Sequence, residues 1–499
     1  MRMNAAQTLL EAGASQAVAL ECGDETLSYE ALRQRVRQAA GAWQALGLRC
    51  AERVIVLAPD SIDWVVAYLG VIWAGGVAIG VNPRLALSEL SPIVSESEVS
   101  FIWCEAESVP LLRPLLAELA LPTELVASGP GESAWAVQLA RSPEIQAVLQ
   151  DEDAPALWIG TSGTTGASKG VVHAQRVALQ PHSFATGLLE LSAADRLYAS
   201  SKLFFAYALG NSLLAGLRAG ATVILDRQWP DPERVLEMVR RHRPSLFFCV
   251  PTLYSKMLQN GVAAQLRGSG IRHCVSAGES LPAIVRKAWL EATGLAITSG
   301  YGTSETMCLM LYSQDDSGLL QISPQVQLRF DAQVDATLPQ RIWLRSSSVA
   351  VGYWKRPQAQ ADGFEDGWYR PGDMFLRRAD GQLEFAGRMD DMLKISGRWV
   401  STLWVEQALT SAAAESVTQL ACVGVQTSEG LTALSLLVVA ASQQQALAQQ
   451  RIQLAIEALP TYRRPRWVHW VGALPLTATG KLQRARLVAI HQAALLSAA

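Results

Sequence analysis

Thirteen residues constrain this chain more than any other stretch: Trp158-Ile159-Gly160-Thr161-Ser162-Gly163-Thr164-Thr165-Gly166-Ala167-Ser168-Lys169-Gly170. An apolar Leu-Trp-Ile segment that reads as a strand runs directly into a loop of glycines and hydroxyls carrying one lysine. Glycines let the backbone turn tightly and bring successive N–H groups to one point, and such a nest holds phosphate oxygens. Ser and Thr add neutral donors, and Lys169 adds a mobile positive charge. The ordinary reading of a Gly/Ser/Thr stretch is a flexible linker, but linkers rarely place a lysine at a fixed offset beside a strand. A polyphosphate is the guest that suits this loop.

It is not a Walker loop. That pattern ends Gly-Lys-[Ser/Thr], with another glycine five residues before the last one. Lys169 follows Ser168 and precedes Gly170, while Gly480-Lys481 is followed by Leu482 and has Pro475 at the earlier glycine position. Both candidates fail, which argues against a GTPase or motor and for another way of using ATP.

At 499 residues the chain exceeds one ordinary core, so two or more domains are expected. Half of it is apolar and 17% charged, which describes a folded protein. The net charge of −3 and the lack of any basic run exclude a nucleic-acid grip. Seven cysteines without a C-x-x-C suggest neither a disulfide framework nor a zinc site and point to reduced cytosol. No signal-peptide core follows Met1. Trp64 to Val81 is long enough and apolar enough for a membrane span. Gly75-Gly76 divides it, however, so a buried helix, turn and strand is the expectation, with no membrane crossing.

From about residue 25 to 310, short apolar runs alternate with amphipathic ones. Arg53–Leu57, Ala221–Leu225, Leu246–Val250 and Ile271–Val275 read as strands. Asp231 to Arg241 reads as a helix, opened by Pro and acidic residues. Such alternation predicts parallel sheets covered on both faces. From Arg341 to Phe385 the texture shifts to short strands and Gly-rich turns. The polar, turn-rich stretch 387–398 marks a boundary, followed by about a hundred residues expected to hold two helices and several strands.

Four further segments carry chemistry. Ser299-Gly300-Tyr301-Gly302-Thr303-Ser304-Glu305-Thr306 is a second Gly/hydroxyl turn with an acid. A carboxylate beside a phosphate nest suits Mg²⁺, which binds through one or two carboxylates plus substrate phosphates. Gly372-Asp373 puts a carboxylate on a tight turn, where it can accept both hydroxyls of a ribose. Arg388 follows Gly387 at the boundary, and Lys481 sits in Thr479-Gly480-Lys481 on a turn expected to be exposed. Each has a plain reading on its own: Gly-Asp is a common turn, and Glu after Thr-Ser can cap a helix. Their joint presence and order carry the argument.

In these motifs the chain resembles the adenylate-forming superfamily of acyl-CoA synthetases, luciferases and nonribosomal adenylation domains. The resemblance spans essentially the whole chain. Residues 161–170 match the phosphate loop, 301–305 the adenine and Mg²⁺ motif, 372–373 the ribose motif, 387–391 the hinge, and 479–481 the catalytic lysine. The implied fold is α/β: a large N-terminal domain, 1–388, of stacked mixed and parallel sheets with flanking helices and a β-rich subdomain, then a small mobile α+β C-terminal domain, 389–499. The implied chemistry uses ATP, Mg²⁺ and CoA. A carboxylate forms an acyl-adenylate and pyrophosphate, then a thiol displaces AMP. The resemblance implies Lys481, Thr164 and Glu305 as catalytic residues, Glu305 holding the metal. It implies ATP contacts from Thr161, Ser162, Gly163, Thr164, Thr165, Gly166, Lys169, Gly278, Glu279, Gly300, Tyr301, Gly302, Thr303, Asp373 and Arg388. Rotation about Asp390 would open a CoA tunnel lined by Gly397, Arg398 and Trp399. It is compatible with a homodimer.

Ser201-Lys202-Leu203-Phe204-Phe205-Ala206-Tyr207-Ala208-Leu209-Gly210-Asn211 looks like the benzoate-CoA ligase branch, as do 250–254 and 276–282. The substrate pocket so implied holds Phe204, Ala206, Tyr207, Gly210, Ala277, Gly302 and Met307. Aromatic rings beside small residues suit a flat aryl acid, so an aryl-CoA ligase is expected. The alternatives are an enzyme loading a carrier protein's phosphopantetheine and a medium-chain fatty acyl-CoA ligase. Ser168 replaces the family's usual proline, Pro371 its threonine and Ala208 the branch's glycine. Residues 315–345 are shorter than usual.

Overall fold

The computed structural model describes the chain except for residues 130–133, 163–167, 180–182, 332–337, 390–391, 396–397, 414–415, 428, 441, 476–481 and 499. The described chain packs as two compact units, Met1–Arg329 with Trp343–Pro371, and Phe330–Ile342 with Gly372–Ala499.

The first unit is built on two large sheets. In the seven-stranded one, Pro155–Ser162, Val77–Gly80, Arg53–Leu57, Phe101–Glu105 and Glu124–Ser128 run parallel as neighbours in that order. Ser168–Ala174 then returns antiparallel beside Pro155–Ser162. The nine-stranded sheet has a parallel centre of Ile297–Tyr301, His273–Ser276, Leu246–Cys249, Arg196–Ala199, Thr222–Leu225 and Val18–Cys22, with antiparallel strands at both edges. Strands buried on both faces need near-continuous apolar sequence, and Leu246–Cys249 and Thr222–Leu225 are buried throughout. Residues of both sheets, among them Val54, Ile159, Val223 and Leu225, share one core with the helices Tyr29–Ala45 and Ile62–Trp73.

The apolar run from Trp64 folds inward. Its helix ends at Trp73, Gly75 turns with φ +85°, and Val77–Gly80 enters the sheet as a fully buried strand. Left-handed φ is the conformation glycine tolerates. No helix among the described residues is long and apolar enough to cross a membrane. The helix expected from Asp231 spans Pro232–His242, with Asp231 as its N-cap accepting the Arg234 N–H.

The second unit contains the strand pair Asp373–Arg377 and Leu383–Arg388, then a hairpin of Met392–Ile395 with Arg398–Ser401. A three-stranded sheet follows, made of Gln419–Gln426, Thr432–Val439 and Trp467–Trp470. The described residues hold three α-helices where the sequence leads one to expect two: Thr402–Ala413, Gln445–Ala458 and Arg484–Ala498. The last of these is the hardest to read from sequence. Its apolar residues form no one-sided stripe (Leu487 is buried, Leu496 is 81% exposed), so its period is hard to read.

Candidate active site

Ligands of open α/β sheets bind outside the carboxyl ends of the strands, and the sequence-expected residues of the first unit gather at such ends. Ser276 and Ser299 are paired neighbours in the nine-stranded sheet, so Ala277-Gly278-Glu279 leaves its strand beside Gly300-Tyr301, the last residues of the next. Gly278 turns with φ +89°, and Glu279 accepts the Thr252 hydroxyl at 2.7 Å. The segment after Tyr301 folds back tightly: a Cβ on Gly302 would stand 2.6 Å from the Cys308 carbonyl oxygen. No side chain fits there. Met307, with φ +60°, closes a three-residue turn in which the Cys308 N–H donates to the Thr306 carbonyl at 2.6 Å. Such turns are rare and strained.

Glu305 is 8% exposed and accepts the Tyr353 hydroxyl at 2.7 Å. The same tyrosine ring faces the phosphate-loop lysine, with Lys169 Nζ 5.6 Å from its centroid. Lys169 lies opposite Thr161 in the strand pair that flanks the loop. Gly163, Thr164, Thr165 and Gly166 lie outside the described residues, as does the side chain of Ser162. Thr303 Oγ1 at the turn and Ser276 Oγ at the end of the neighbouring strand are buried without a hydrogen-bond partner among the described residues. Buried polar atoms normally have partners, so these two suit a ligand's polar groups. Among the described residues no cluster of three or more His, Cys, Asp or Glu exists. One buried carboxylate beside a phosphate loop fits Mg²⁺, which keeps waters and substrate phosphates as its other ligands.

The aromatic segment lies against this turn. Gly210 packs on Met307 so closely that a Cβ would stand 2.3 Å from the Met307 carbonyl oxygen. Phe204 and Ala206 are buried, and the Phe204 ring is tilted against those of Phe205 and Trp229, with centroids 4.6 and 6.0 Å away. Tyr207 spends its hydroxyl on the Val275 carbonyl at 3.0 Å, which leaves the ring as its contact surface. Residues Leu209–Leu214 form a π-helical turn, a wide geometry frequent at functional sites. Asn211 fixes it from inside, taking the Leu309 N–H at 3.4 Å and donating to the Tyr207 carbonyl at 3.0 Å.

In the second unit Asp373 and Arg388 are paired across two strands, with Arg388 Nε 3.9 Å from Asp373 Oδ1. Gly387 has φ +114°, and a Cβ there would stand 2.9 Å from Ser401 Oγ. Arg398 lies over the Tyr462 ring at 4.8 Å, and Trp399 is 47% exposed. Asp390, Gly397 and Lys481 lie outside the described residues.

Sequence reasoning passed over two side chains at the first unit's site. Tyr353 sits in an edge strand 48 residues from the carboxylate it holds. His173 is fully buried in the strand Ser168–Ala174, with Nε2 2.8 Å from the Ser304 carbonyl and Nδ1 3.2 Å from that of Ser348. Burial pushes its pKa down to about 4, against the pull of both carbonyls. It ties the phosphate-loop strand to the residue before Glu305. Neither residue belongs to a recognisable motif; only the fold brings them here.

Comparison with known proteins agrees with this geometry. Residues 10–354 match the AMP-binding enzyme family, and residues 405–481 match the AMP-binding enzyme C-terminal domain. The chain is 36% identical over 507 residues to a 3-hydroxybenzoate–CoA ligase of Aromatoleum sp. (strain CIB), covering 97% of this chain and 96% of the relative. It is 35% identical to a 3-hydroxybenzoate–CoA/4-hydroxybenzoate–CoA ligase of Thauera aromatica, covering 99% and 98%. The crystal structure of the anthranilate CoA ligase AuaEII in complex with anthranoyl-AMP superimposes with a TM-score of 0.87 at 29% identity, covering 98% and 97% of the two chains.

Proposed function

The chain belongs to the AMP-binding enzyme family, and we infer that it is an ATP-dependent aryl-CoA ligase acting on benzoate-type aromatic carboxylates. The observation that carries the aryl reading is the packing of Gly210 on Met307. It sets the wall of Phe204, Ala206 and Tyr207 against the turn that bears Glu305. Likeness to hydroxybenzoate–CoA and anthranilate–CoA ligases supports the same substrate class.

Two displacements make up the reaction. A carboxylate oxygen attacks the α-phosphorus of ATP, and the bond to pyrophosphate breaks. The thiol of CoA then attacks the acyl carbonyl, loses its proton and expels AMP. Lys169 and the hydroxyls and N–H groups of 161–166 would hold the leaving pyrophosphate, since fixed cations and dipoles stabilise charge that develops in such a transition state. Glu305 is the residue to hold Mg²⁺, which would neutralise phosphate charge. Lys481 would meet the substrate carboxylate and α-phosphate, Asp373 and Arg388 the nucleoside. Asp390 would serve as the pivot, and Gly397 with Arg398 and Trp399 would line the path for CoA. The working division would then be 1–388 and 389–499, with domain rotation separating the two half-reactions. None of the seven cysteines is in a disulfide, as suits an enzyme of the reducing cytosol.

The test is pyrophosphate and AMP release with ATP, CoA and a panel of aromatic, aliphatic and amino acids. Benzoate-type acids should give the highest kcat/KM. No release with any aryl acid sinks the reading, and thioester formed only on a carrier protein's phosphopantetheine reassigns the acceptor.

Tyr353→Phe tests the metal assignment. It removes the hydrogen bond to Glu305 and keeps the ring beneath Lys169. A hydrogen bond to a charged group contributes about 1.5–3 kcal/mol, so the Mg²⁺ concentration for half-maximal pyrophosphate release should rise about tenfold. An unchanged Mg²⁺ dependence would remove Glu305 from the metal site.

A further inference from the structure

One buried charged cluster has no role in the reaction so far, and it lies against the aromatic segment. Asp60 follows the strand Arg53–Leu57, and Lys202 heads the segment that runs to Tyr207; each is 4% exposed. The Leu203 N–H donates to both Asp60 carboxylate oxygens, at 3.1 and 3.2 Å. Lys202 Nζ donates to the Asp226 carbonyl at 2.5 Å and to the Gln228 carbonyl. Asp226 follows Thr222–Leu225, and its own carboxylate is gripped by Arg234, with Nη2 2.7 Å from Oδ1.

The segment is thereby pinned to both sheets at once. Asp60 hangs from the end of a seven-stranded-sheet strand, and Asp226 from the end of a nine-stranded-sheet strand. Phe204 is pressed onto Gly80, where a Cβ would lie 3.3 Å from its Cα. Lys202 and Phe205 close the stretch with a backbone turn of 2.9 Å. Buried charges are costly to keep, and apolar packing could anchor a helix start without them. What carboxylate and ammonium add is direction. A hydrogen bond to one N–H fixes the chain in a way that dispersion contacts do not.

We infer that Asp60 is a positioning residue for the acid substrate: by holding the Leu203 N–H it fixes where Phe204 to Tyr207 present their side chains to the aryl ring. This rests on the aryl-CoA ligase reading. Burial raises the Asp60 pKa to about 7, against the pull of Lys202 and the Leu203 N–H and with Asp226 adding to the rise. Burial likewise lowers that of Lys202, against Asp60 and Asp226.

The test compares Asp60→Ala and Asp60→Asn with wild type in steady-state pyrophosphate release, with thermal melting of each. Displacing a binding group by about 1 Å costs on the order of 100-fold. Asp60→Ala should accordingly raise KM for the acid about 10- to 100-fold and leave KM for ATP within about twofold. Asp60→Asn keeps an oxygen for the Leu203 N–H and should return the acid KM to within about threefold of wild type. An unchanged acid KM in Asp60→Ala overturns the inference, as does a parallel rise in both KM values. If Asp60→Ala has no melting transition, Asp60→Leu, similar in branched shape and without an acceptor, takes its place: an acid KM raised about 10- to 100-fold with the ATP KM within about twofold supports the inference, and an unchanged acid KM or a parallel rise in both overturns it. Wild-type activity on the acid panel judges the ligase reading separately. The positioning role of Asp60 is judged on ratios between variants, with whichever carboxylic acid the wild type activates.

Discussion

Lys481→Ala is expected to reduce aryl-adenylate formation, read as pyrophosphate release, by about 10³-fold, the upper range for losing one preorganised charge-stabilising group. Attack of one anion on another's α-phosphate gathers negative charge at a single point. In the proposed reaction Lys169 would stand by the leaving pyrophosphate, and no other lysine in the matching motifs is offered to the incoming carboxylate. Thiol attack on a preformed adenylate makes a different demand: the charge collects on the acyl oxygen and departing AMP. The variant supplied with aroyl-adenylate and CoA should therefore form thioester within about tenfold of wild type, as expected for interactions made only in the adenylation transition state. Both half-reactions are to be measured on the same preparation. Equal loss in both would strip Lys481 of the assigned role.

Where the physics is local, the sequence is a good guide. Arg53–Leu57 and Leu246–Cys249 are short apolar runs that suit a strand covered on both faces, and both are such strands. Asp231 with Pro232 announces a helix start and caps one. Gly75-Gly76 breaks an apolar run that could otherwise have been read as a membrane span. The last helix is the contrary case. Arg484–Ala498 has apolar residues distributed round it, and only its docking, through Leu487 and neighbouring positions, fixes it as a helix of the second unit.

The site divides the same way. Glu305, Lys169 and the glycines around them are legible because a tight turn, a phosphate and a metal each demand particular residue types at short spacing. Gly302 and Gly210 show why: neighbouring backbone occupies the space a Cβ would need. The side chains that hold this machinery in place follow no such spacing. Tyr353, His173 and Asp60 reach partners 48, 131 and 143 residues away. A lone Tyr, His or Asp carries no local signal of that, and three-dimensional packing alone supplies it.

His173 should make the first unit acid-sensitive well above the range where carboxylates titrate. Both ring nitrogens face backbone carbonyls, and a neutral imidazole donates at only one of them. An imidazolium could satisfy both, but the burial penalty outweighs that gain and the folded-state pKa falls to about 4. A folded pKa below the unfolded one, about 6.5, means the unfolded chain takes up the proton first. The stabilisation is complete above about pH 6.5 and is lost as pH falls toward about 4. Between about pH 7.5 and about pH 5 the loss is about 2 kcal/mol, from about 1.4 kcal/mol per pH unit over the interval below 6.5. His173→Gln keeps a donor facing Ser304 and does not titrate, so its stability should fall by about 2 kcal/mol less over the same interval. Equilibrium urea unfolding at both pH values, with amide-exchange protection of Ser168–Ala174 read alongside, measures the difference. Parallel losses in wild type and variant would assign the acid sensitivity to other groups. A smaller loss in the variant would assign that share of the acid sensitivity to the imidazole that ties the strand Ser168–Ala174 to Ser304.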